Sequence, residues 1–254
     1  VAETMYEYWP NHDTANNLRV YTGFYLYELS GQLDKAAEIY RGTPSSHPSY
    51  FEARRQMVLA MQKIYDNLAD EIREMELTGA TEDTPEAKAA LERGLAQRNE
   101  DIERMRRELL NAAENLLDDA EDEVENGSRR FSAATAAGGA LVAVAAMEAD
   151  SGNPDDALEL LEGFEIDYKP TGRLADLVNA QPAPDQARQQ LDGLIQSAQE
   201  RRILTLVDVA DLSDESEREQ IGAEAQAMIK DYPDVAANVV NGVLQRIEDQ
   251  IDSY

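Results

Sequence analysis

The side chains of this chain that could do acid–base or metal chemistry are two histidines and many carboxylates. His12 and His47 are the only histidines, and the sequence contains no cysteine. Neither histidine stands in a Glu-x-x-His or His-x-x-x-His pattern, which would place metal ligands on one helical face. Without cysteine, thiolate catalysis, Cys-ligated zinc and disulfides are excluded, while the redox compartment stays open. Both histidines adjoin proline-containing loops, and we interpret them as ordinary loop residues.

The sequence motifs of nucleotide-binding proteins and serine hydrolases are absent. No Gly-x-x-x-x-Gly-Lys-Ser/Thr, Gly-x-Gly-x-x-Gly or Gly-x-Ser-x-Gly pattern occurs. With 51 acidic residues, pairs of carboxylates arise by coincidence, and no Asp-x-Asp-x-Asp-Gly calcium loop is present. One acidic cluster has no basic residue within it and could bind cations only loosely; its members are Glu114, Asp118, Asp119, Glu121, Asp122, Glu123 and Glu125. We therefore predict a non-catalytic protein with no cofactor and no specific metal site.

Tyr21, Tyr25 and Glu28 form the candidate binding site. Their spacings of four and three residues place them on one face of a helix that we expect over residues 13–30. We expect Val20, Phe24 and Tyr27 to form the opposite face of this helix, which packs against neighbouring helices. Tyrosine is a favoured interface residue because it buries a large area and keeps a polar tip. The alternative is that both faces are buried between stacked helices, and the sequence leaves both interpretations open.

Apolar periodicity predicts the helices that must position these side chains. Steps of three and four residues run from Ser49 to Met75 and from Thr84 to Glu125, which predicts a long helical hairpin. A Thr cap followed by Pro85 begins its second arm, which spans about 60 Å, and we expect the turn over residues 77–84. Further helices are expected over residues 33–41, 129–149, 154–161, 184–211, 213–231 and 235–252, with residues 165–184 irregular except near 173–178. No alternating run of Val, Ile and Thr predicts a sheet.

Two segments of the chain share one spacing pattern. Residues 31–40 read GQLDKAAEIY and residues 152–161 read GNPDDALELL. Each has a Gly, a short turn, a charged first helical turn, an Ala five residues after the Gly and a bulky residue four later. The first copy also has Pro48, eight residues after Tyr40, whereas the second has no such Pro. The pattern resembles the tetratricopeptide repeat, a helix-turn-helix unit that stacks into solenoids. The family's Leu-Gly pair stands here in reverse order as Gly23-Phe24.

The resemblance implies an all-α, right-handed α-solenoid of TPR-like helix-turn-helix units with a long inserted helical hairpin. The expected regions are a TPR-like unit at 1–48, the hairpin at 49–126, a second TPR-like unit at 127–165 and a C-terminal helical repeat region at 166–254. Because residues 5–10 look like the tail of an earlier helix, we expect a fragment of a longer solenoid. A generic alanine-rich helical domain is the alternative fold.

In the family that this chain resembles, the outward face of the first helix of each unit lines a groove for peptides. The resemblance therefore implies a scaffold that binds a protein or peptide partner. The alternative function is an accessory spacer or oligomerisation domain of a larger enzyme or envelope assembly. The sequence leaves the partner, the compartment and the oligomeric state open.

The net charge of −28 is the second informative feature of the chain. Such a field repels nucleic acid and anionic lipid, which argues against both as partners. The charge is either a surface adaptation to high salt or an acidic surface that attracts a basic protein or divalent cations, and its even spread favours the first. The most apolar run, residues 133–147, ends at Glu148 and Asp150, and we expect a buried helix there and no membrane insertion.

Overall fold

The computed structural model describes residues 12–25, 30–79, 84–169 and 172–209, together with residues 4, 8, 9, 216 and 220–223. These residues form α-helices joined by short loops, and no β-strand occurs among them. The predicted all-α class is therefore confirmed. The helices predicted over residues 213–231 and 235–252 fall almost wholly outside the described ranges.

In chain order the helices are α1 (Asp13–Phe24), α2 (Leu33–Arg41), α3 (Tyr50–Gly79), α4 (Pro85–Asn126), α5 (Arg130–Asp150), α6 (Pro154–Leu161), α7 (Phe164–Tyr168), α8 (Gly172–Asn179) and α9 (Pro184–Val209). The chain divides into two compact units, residues 1–140 and 141–254, with the boundary inside α5.

Gly23 of α1 lies in close contact with α2. Ala15 and Gly23 are buried, and a Cβ atom added to Gly23 would lie 2.5 Å from Cε1 of Tyr40 on α2. The predicted packing face is therefore wrong at Phe24, whose side chain is 47% exposed. The reason is that Tyr40 is fully buried and needs the space that a glycine leaves. The large residue of the contact comes from α2, and α1 supplies the small one.

Helices α3 and α4, of 30 and 42 residues, are the longest among the described residues, and they pack against each other. Thr84 caps α4 as predicted, because its Oγ1 accepts a hydrogen bond of 3.4 Å from the Ala87 amide. The expected start of the turn at residue 77 is wrong, since α3 continues to Gly79. Leu91 of α4 lies so close that a Cβ on Gly79 would be 2.5 Å from its Cδ2. This contact explains why a residue with poor helix propensity stays in the helix.

Arg129 ties the end of α4 to the loop before α3. Its Nη1 donates to the carbonyls of Ser45 and His47 at 2.7 and 3.0 Å, and its Nη2 pairs with Glu123 Oε2 at 2.8 Å. The guanidinium also lies 4.9 Å from the ring centroid of Phe51. Charge-assisted bonds are the stronger class of protein hydrogen bond, so this cluster fixes the loop over residues 42–49 against the hairpin.

In the second unit, α6, α7 and α8 pack on α9. A core cluster joins Ala145 of α5 to residues of α6, α7 and α9, namely Ala157, Leu161, Phe164 and Ala198. Residues 164–168 form a helical turn, which corrects the expectation of an irregular segment from residue 165. Phe164 and Tyr168 stack with ring centroids 4.3 Å apart, and such a pair at positions i and i+4 stabilises a helical turn.

Candidate functional site

The solvent side of α1 carries three aromatic side chains, Tyr21, Phe24 and Tyr25, which we call the aromatic face. Their exposed fractions are 74%, 47% and 57%. The 3.6-residue period of a helix places the three within an arc of about 100°, each at least about 100° from Gly23, which contacts Tyr40 of α2. Tyr25 extends the helical backbone by one residue, since its amide donates to the carbonyls of Tyr21 and Thr22. The arrangement presents aromatic area to solvent and leaves the α1–α2 contact to small residues.

Of the three predicted site residues, Tyr21 and Tyr25 lie together on the aromatic face. Glu28 lies outside the described residues. Sequence reasoning placed Phe24 among the packing residues, although it belongs to this exposed surface. The neighbouring Gly23 could have indicated that Phe24 is exposed, because a close contact between two helices favours the smaller of two adjacent residues.

Two further exposed aromatic side chains precede α1. Tyr8 and Trp9 are 65% and 59% exposed, with ring centroids 6.2 Å apart. The carbonyl of Trp9 accepts a hydrogen bond of 3.2 Å from the His12 amide, which places Trp9 at the entry to the helix. Every exposed aromatic side chain within the described ranges lies between residues 8 and 25. Aromatic residues make up 6% of the chain, so this concentration distinguishes its N-terminal surface.

Both histidines have local structural roles. His12 is the N-cap of α1, and its Nδ1 accepts a hydrogen bond of 3.2 Å from the Thr14 amide. His47 Nδ1 accepts a bond of 3.1 Å from the Ser49 amide within the loop that Arg129 holds. Each imidazole therefore satisfies a backbone donor at the start of a helix or turn.

A cleft of about 600 Å³ lies between α2, α3 and α4. Arg41, Arg54, Glu108 and Asn111 line it, over an apolar floor that includes Leu116. Both signs of charge occur in the lining, so the cleft has no single electrostatic preference. Its size would admit a small polar molecule or one peptide side chain.

Tyr50 and Asp119 form a hydrogen bond beside this cleft, with the tyrosine hydroxyl as donor. Burial raises the pKa of the Tyr50 hydroxyl above its usual range, and the bond to Asp119 raises it further. A tyrosine with a raised pKa stays protonated at neutral pH and donates a hydrogen bond, so it is not activated as a base or nucleophile. The pair holds α3 against α4.

The acidic cluster of α4 is divided between internal contacts and solvent. Glu123 is half-buried and binds Arg129, whereas Asp119 accepts the bond from Tyr50 although it is exposed, as are Glu114, Asp118 and Glu121. No group of three or more His, Asp or Glu side chains suited to a metal ion occurs in the part of the chain that the structure describes.

Helix α5 is long and apolar enough to cross a membrane by length and composition, and it is the one such helix found among the described residues. Within its most apolar window 61% is buried in the protein. Core helices of soluble proteins meet the same criterion.

Comparisons with known proteins identify no relative of this chain. No family model matches it, no curated protein matches its sequence, and no solved structure matches its fold.

Proposed function

We propose that this chain is a non-catalytic, TPR-like helical scaffold that binds a protein or peptide through the aromatic face of α1. The observation that carries the proposal is the exposure of Tyr21, Phe24 and Tyr25 on one helical side. Exposed apolar clusters on soluble proteins mark interaction surfaces, and tyrosine is enriched among the residues that dominate binding energy.

The two related segments support the repeat character of the scaffold. Gly31 and Gly152 both have positive φ angles, of 65° and 84°, and a helix begins two residues after each. Ala36 and Ala157, the fifth residues after these glycines, are both fully buried. The same turn conformation and the same buried small residue therefore recur in both copies, as a helix-turn-helix repeat requires.

The alternative function is that of an accessory spacer or oligomerisation domain within a larger enzyme or envelope assembly. The observation that favours it is α4, whose 42 residues span about 63 Å at 1.5 Å per residue. A helix of that length separates whatever is attached near its two ends. We further propose that nucleic acid is not a partner, because the net charge of −28 opposes binding to polyanions. We also propose that no segment inserts into a membrane, because 61% of the most apolar window of α5 is buried within the protein.

A paired capture experiment tests the scaffold function. Wild-type protein, a Tyr21→Ala plus Tyr25→Ala variant and a control Leu77→Ala plus Ile166→Ala variant are immobilised and exposed to lysate of the native organism. Leu77 and Ile166 are 67% and 78% exposed and lie far along the sequence from α1. We expect a protein that wild type and control retain, with binding to the tyrosine variant weakened by at least about 30-fold, since even one interface aromatic contributes about 2 kcal/mol or more.

Thermal melts of the same samples separate a binding role from a packing role. Because both tyrosines are exposed, we expect the tyrosine variant to change the free energy of unfolding by less than about 0.5 kcal/mol. A sharp fall in melting temperature without loss of any captured protein would show that these side chains are core residues and that the assigned site is wrong.

A further inference from the structure

We infer that the aromatic face takes a positively charged, extended peptide segment, with Arg or Lys side chains stacked on the rings of Tyr21, Phe24 and Tyr25. This inference rests on the scaffold function proposed above and specifies the chemistry of its partner. It follows from the acidic sequence around the face, from the spacing of the rings and from the net charge of the chain, which disfavours other binding partners.

The amino-acid sequence around the aromatic face is acidic. Residues 1–30 contain four acidic residues and one basic residue, Arg19; the acidic residues are Glu3, Glu7, Asp13 and Glu28. The guanidinium of Arg19 lies against Gly42, on the α2 side of the helix and away from the three rings. A cationic partner would therefore meet no repelling charge from α1, and the field of a chain with net charge −28 would steer it inward.

The rings themselves attract cations. An aromatic ring carries negative charge density on its face, and a guanidinium or ammonium within about 6 Å of its centroid is stabilised. The chain already contains this contact, because Arg54 lies 5.1 Å from the Tyr50 ring centroid and Arg129 lies 4.9 Å from that of Phe51. On the aromatic face the rings are 47% to 74% exposed, so a cation from another molecule can reach them.

The spacing of Tyr21 and Tyr25 matches an extended segment. Residues four apart on a helix are separated by about 6 Å along its axis. Alternate residues of an extended strand point to the same side and are separated by about 6.6 Å. A segment in which every second residue is Arg or Lys can therefore place successive cations over successive rings.

Two other occupants fit the exposed aromatics less well. Trp and Tyr side chains also anchor proteins at membrane interfaces, but anionic headgroups would repel this chain. A second copy of the chain would bring two charges of −28 together, which opposes association in dilute buffer. The same charge favours a cationic segment, so the basic peptide is the occupant that both the rings and the field support.

The test measures binding of a labelled synthetic peptide in which Arg and Ser alternate, with a Glu–Ser peptide for comparison. The proteins are wild type, Tyr21→Ala plus Tyr25→Ala, Tyr21→Phe plus Tyr25→Phe and the control Leu77→Ala plus Ile166→Ala. All four carry the same net charge, so diffuse attraction of a polycation is equal in each. If the alanine pair loses its helical circular dichroism signal, a Tyr21→Gln plus Tyr25→Gln pair replaces it.

We expect the Arg–Ser peptide to bind wild type, the phenylalanine pair and the control alike, and the alanine pair about 5- to 30-fold more weakly, from two exposed cation–ring contacts. Equal binding to wild type and the alanine pair would overturn the inference, because charge alone would then account for the affinity. Tighter binding of the Glu–Ser peptide would overturn it as well. In either case a lysate protein whose capture depends on Tyr21 and Tyr25 would leave the scaffold function standing.

Neutral phosphatidylcholine vesicles form the second arm of the test. Binding of wild type to these vesicles, lost in the alanine pair and accompanied by no affinity for the Arg–Ser peptide, would assign the aromatic face to a membrane surface and overturn the inference. No vesicle binding together with aromatic-dependent peptide binding supports it.

Discussion

Gly23 and Tyr40 determine how closely α1 approaches α2. A methyl group at residue 23 would lie 2.5 Å from the Tyr40 ring, which is fully buried. The close contact explains why the chain has a glycine inside a helix, where glycine costs about 1 kcal/mol relative to alanine.

Gly23→Ala is therefore expected to destabilise the protein by about 1 to 3 kcal/mol, the usual cost of overpacking a core. Gly193→Ala is the matched control, since Gly193 also lies inside a helix but a Cβ there would meet nothing within 4 Å. The control is expected to gain up to about 1 kcal/mol from helix propensity. Chemical denaturation of both variants measures the difference, and destabilisation of equal size would contradict the proposed α1–α2 contact.

At the scale of elements, the Arg129 cluster links α4, α3 and the loop between α2 and α3. The bonds from the Arg129 amide and guanidinium hold the pKa of the Glu123 carboxyl below its usual range. A group with a lowered folded-state pKa stabilises the fold above its unfolded value, and this stabilisation is lost as pH falls through the folded pKa.

Wild-type protein should accordingly lose stability as pH falls below about 4.5, the usual Glu range. Glu123→Gln lacks the titrating carboxylate and should be less stable at neutral pH by about 1.5 to 3 kcal/mol, the range for hydrogen bonds to charged groups. The difference between the two proteins should shrink in acid. Denaturant titrations at neutral and acidic pH measure it, and a gap that does not depend on pH would exclude the proposed role of Glu123.

The packing of α7 against α9 should affect how the stability of the fold changes at alkaline pH. Burial raises the pKa of the Tyr168 hydroxyl to about 12, and the neighbouring Asp167 charge contributes. Between the unfolded pKa of about 10 and the folded value the native state holds more protons, so stability falls as pH rises through that window. The full effect is about 2 to 3 kcal/mol, at 1.36 kcal/mol for each pKa unit.

Tyr168→Phe should remove this part of the alkaline slope while keeping the stack on Phe164. Unfolding free energies measured from about pH 9 to 11, around the usual tyrosine pKa, would detect the change. Identical slopes in wild type and variant would show that Tyr168 titrates as an exposed tyrosine does.

For the whole molecule, the net charge of −28 is expected to make the stability of the fold depend on salt concentration. Like charges on one compact chain repel, and salt screens them with a Debye length of about 10 Å at 0.1 M and about 3 Å at 1 M. If the charge is an adaptation to high salt, the melting temperature should be lower in dilute buffer than in molar salt. Equal melting temperatures in the two would favour an acidic surface that is tolerated or used for binding.

The sequence alone determined several of the helices, because helix periodicity and caps are local properties. Helix α2 spans the predicted residues 33–41, α6 spans the predicted residues 154–161, and Thr84 with Pro85 begins α4 as predicted. That Tyr21 and Tyr25 share one face also follows from their spacing of four residues. These features depend on residues within one or two helical turns of each other, so they can be predicted without the fold.

Only the tertiary structure decided which side of each helix faces the core. Hydrophobicity placed Phe24 inside and left open whether Tyr21 was exposed, whereas the buried residue of that turn is Gly23. The deciding partner is Tyr40, seventeen residues further along the chain, whose ring fills the space over the glycine. Likewise α3 continues to Gly79, where Leu91 packs on it from α4. Whether a small residue is buried depends on the side chain that packs on it. That side chain can lie far away in the sequence, so the residues near the glycine do not predict the contact.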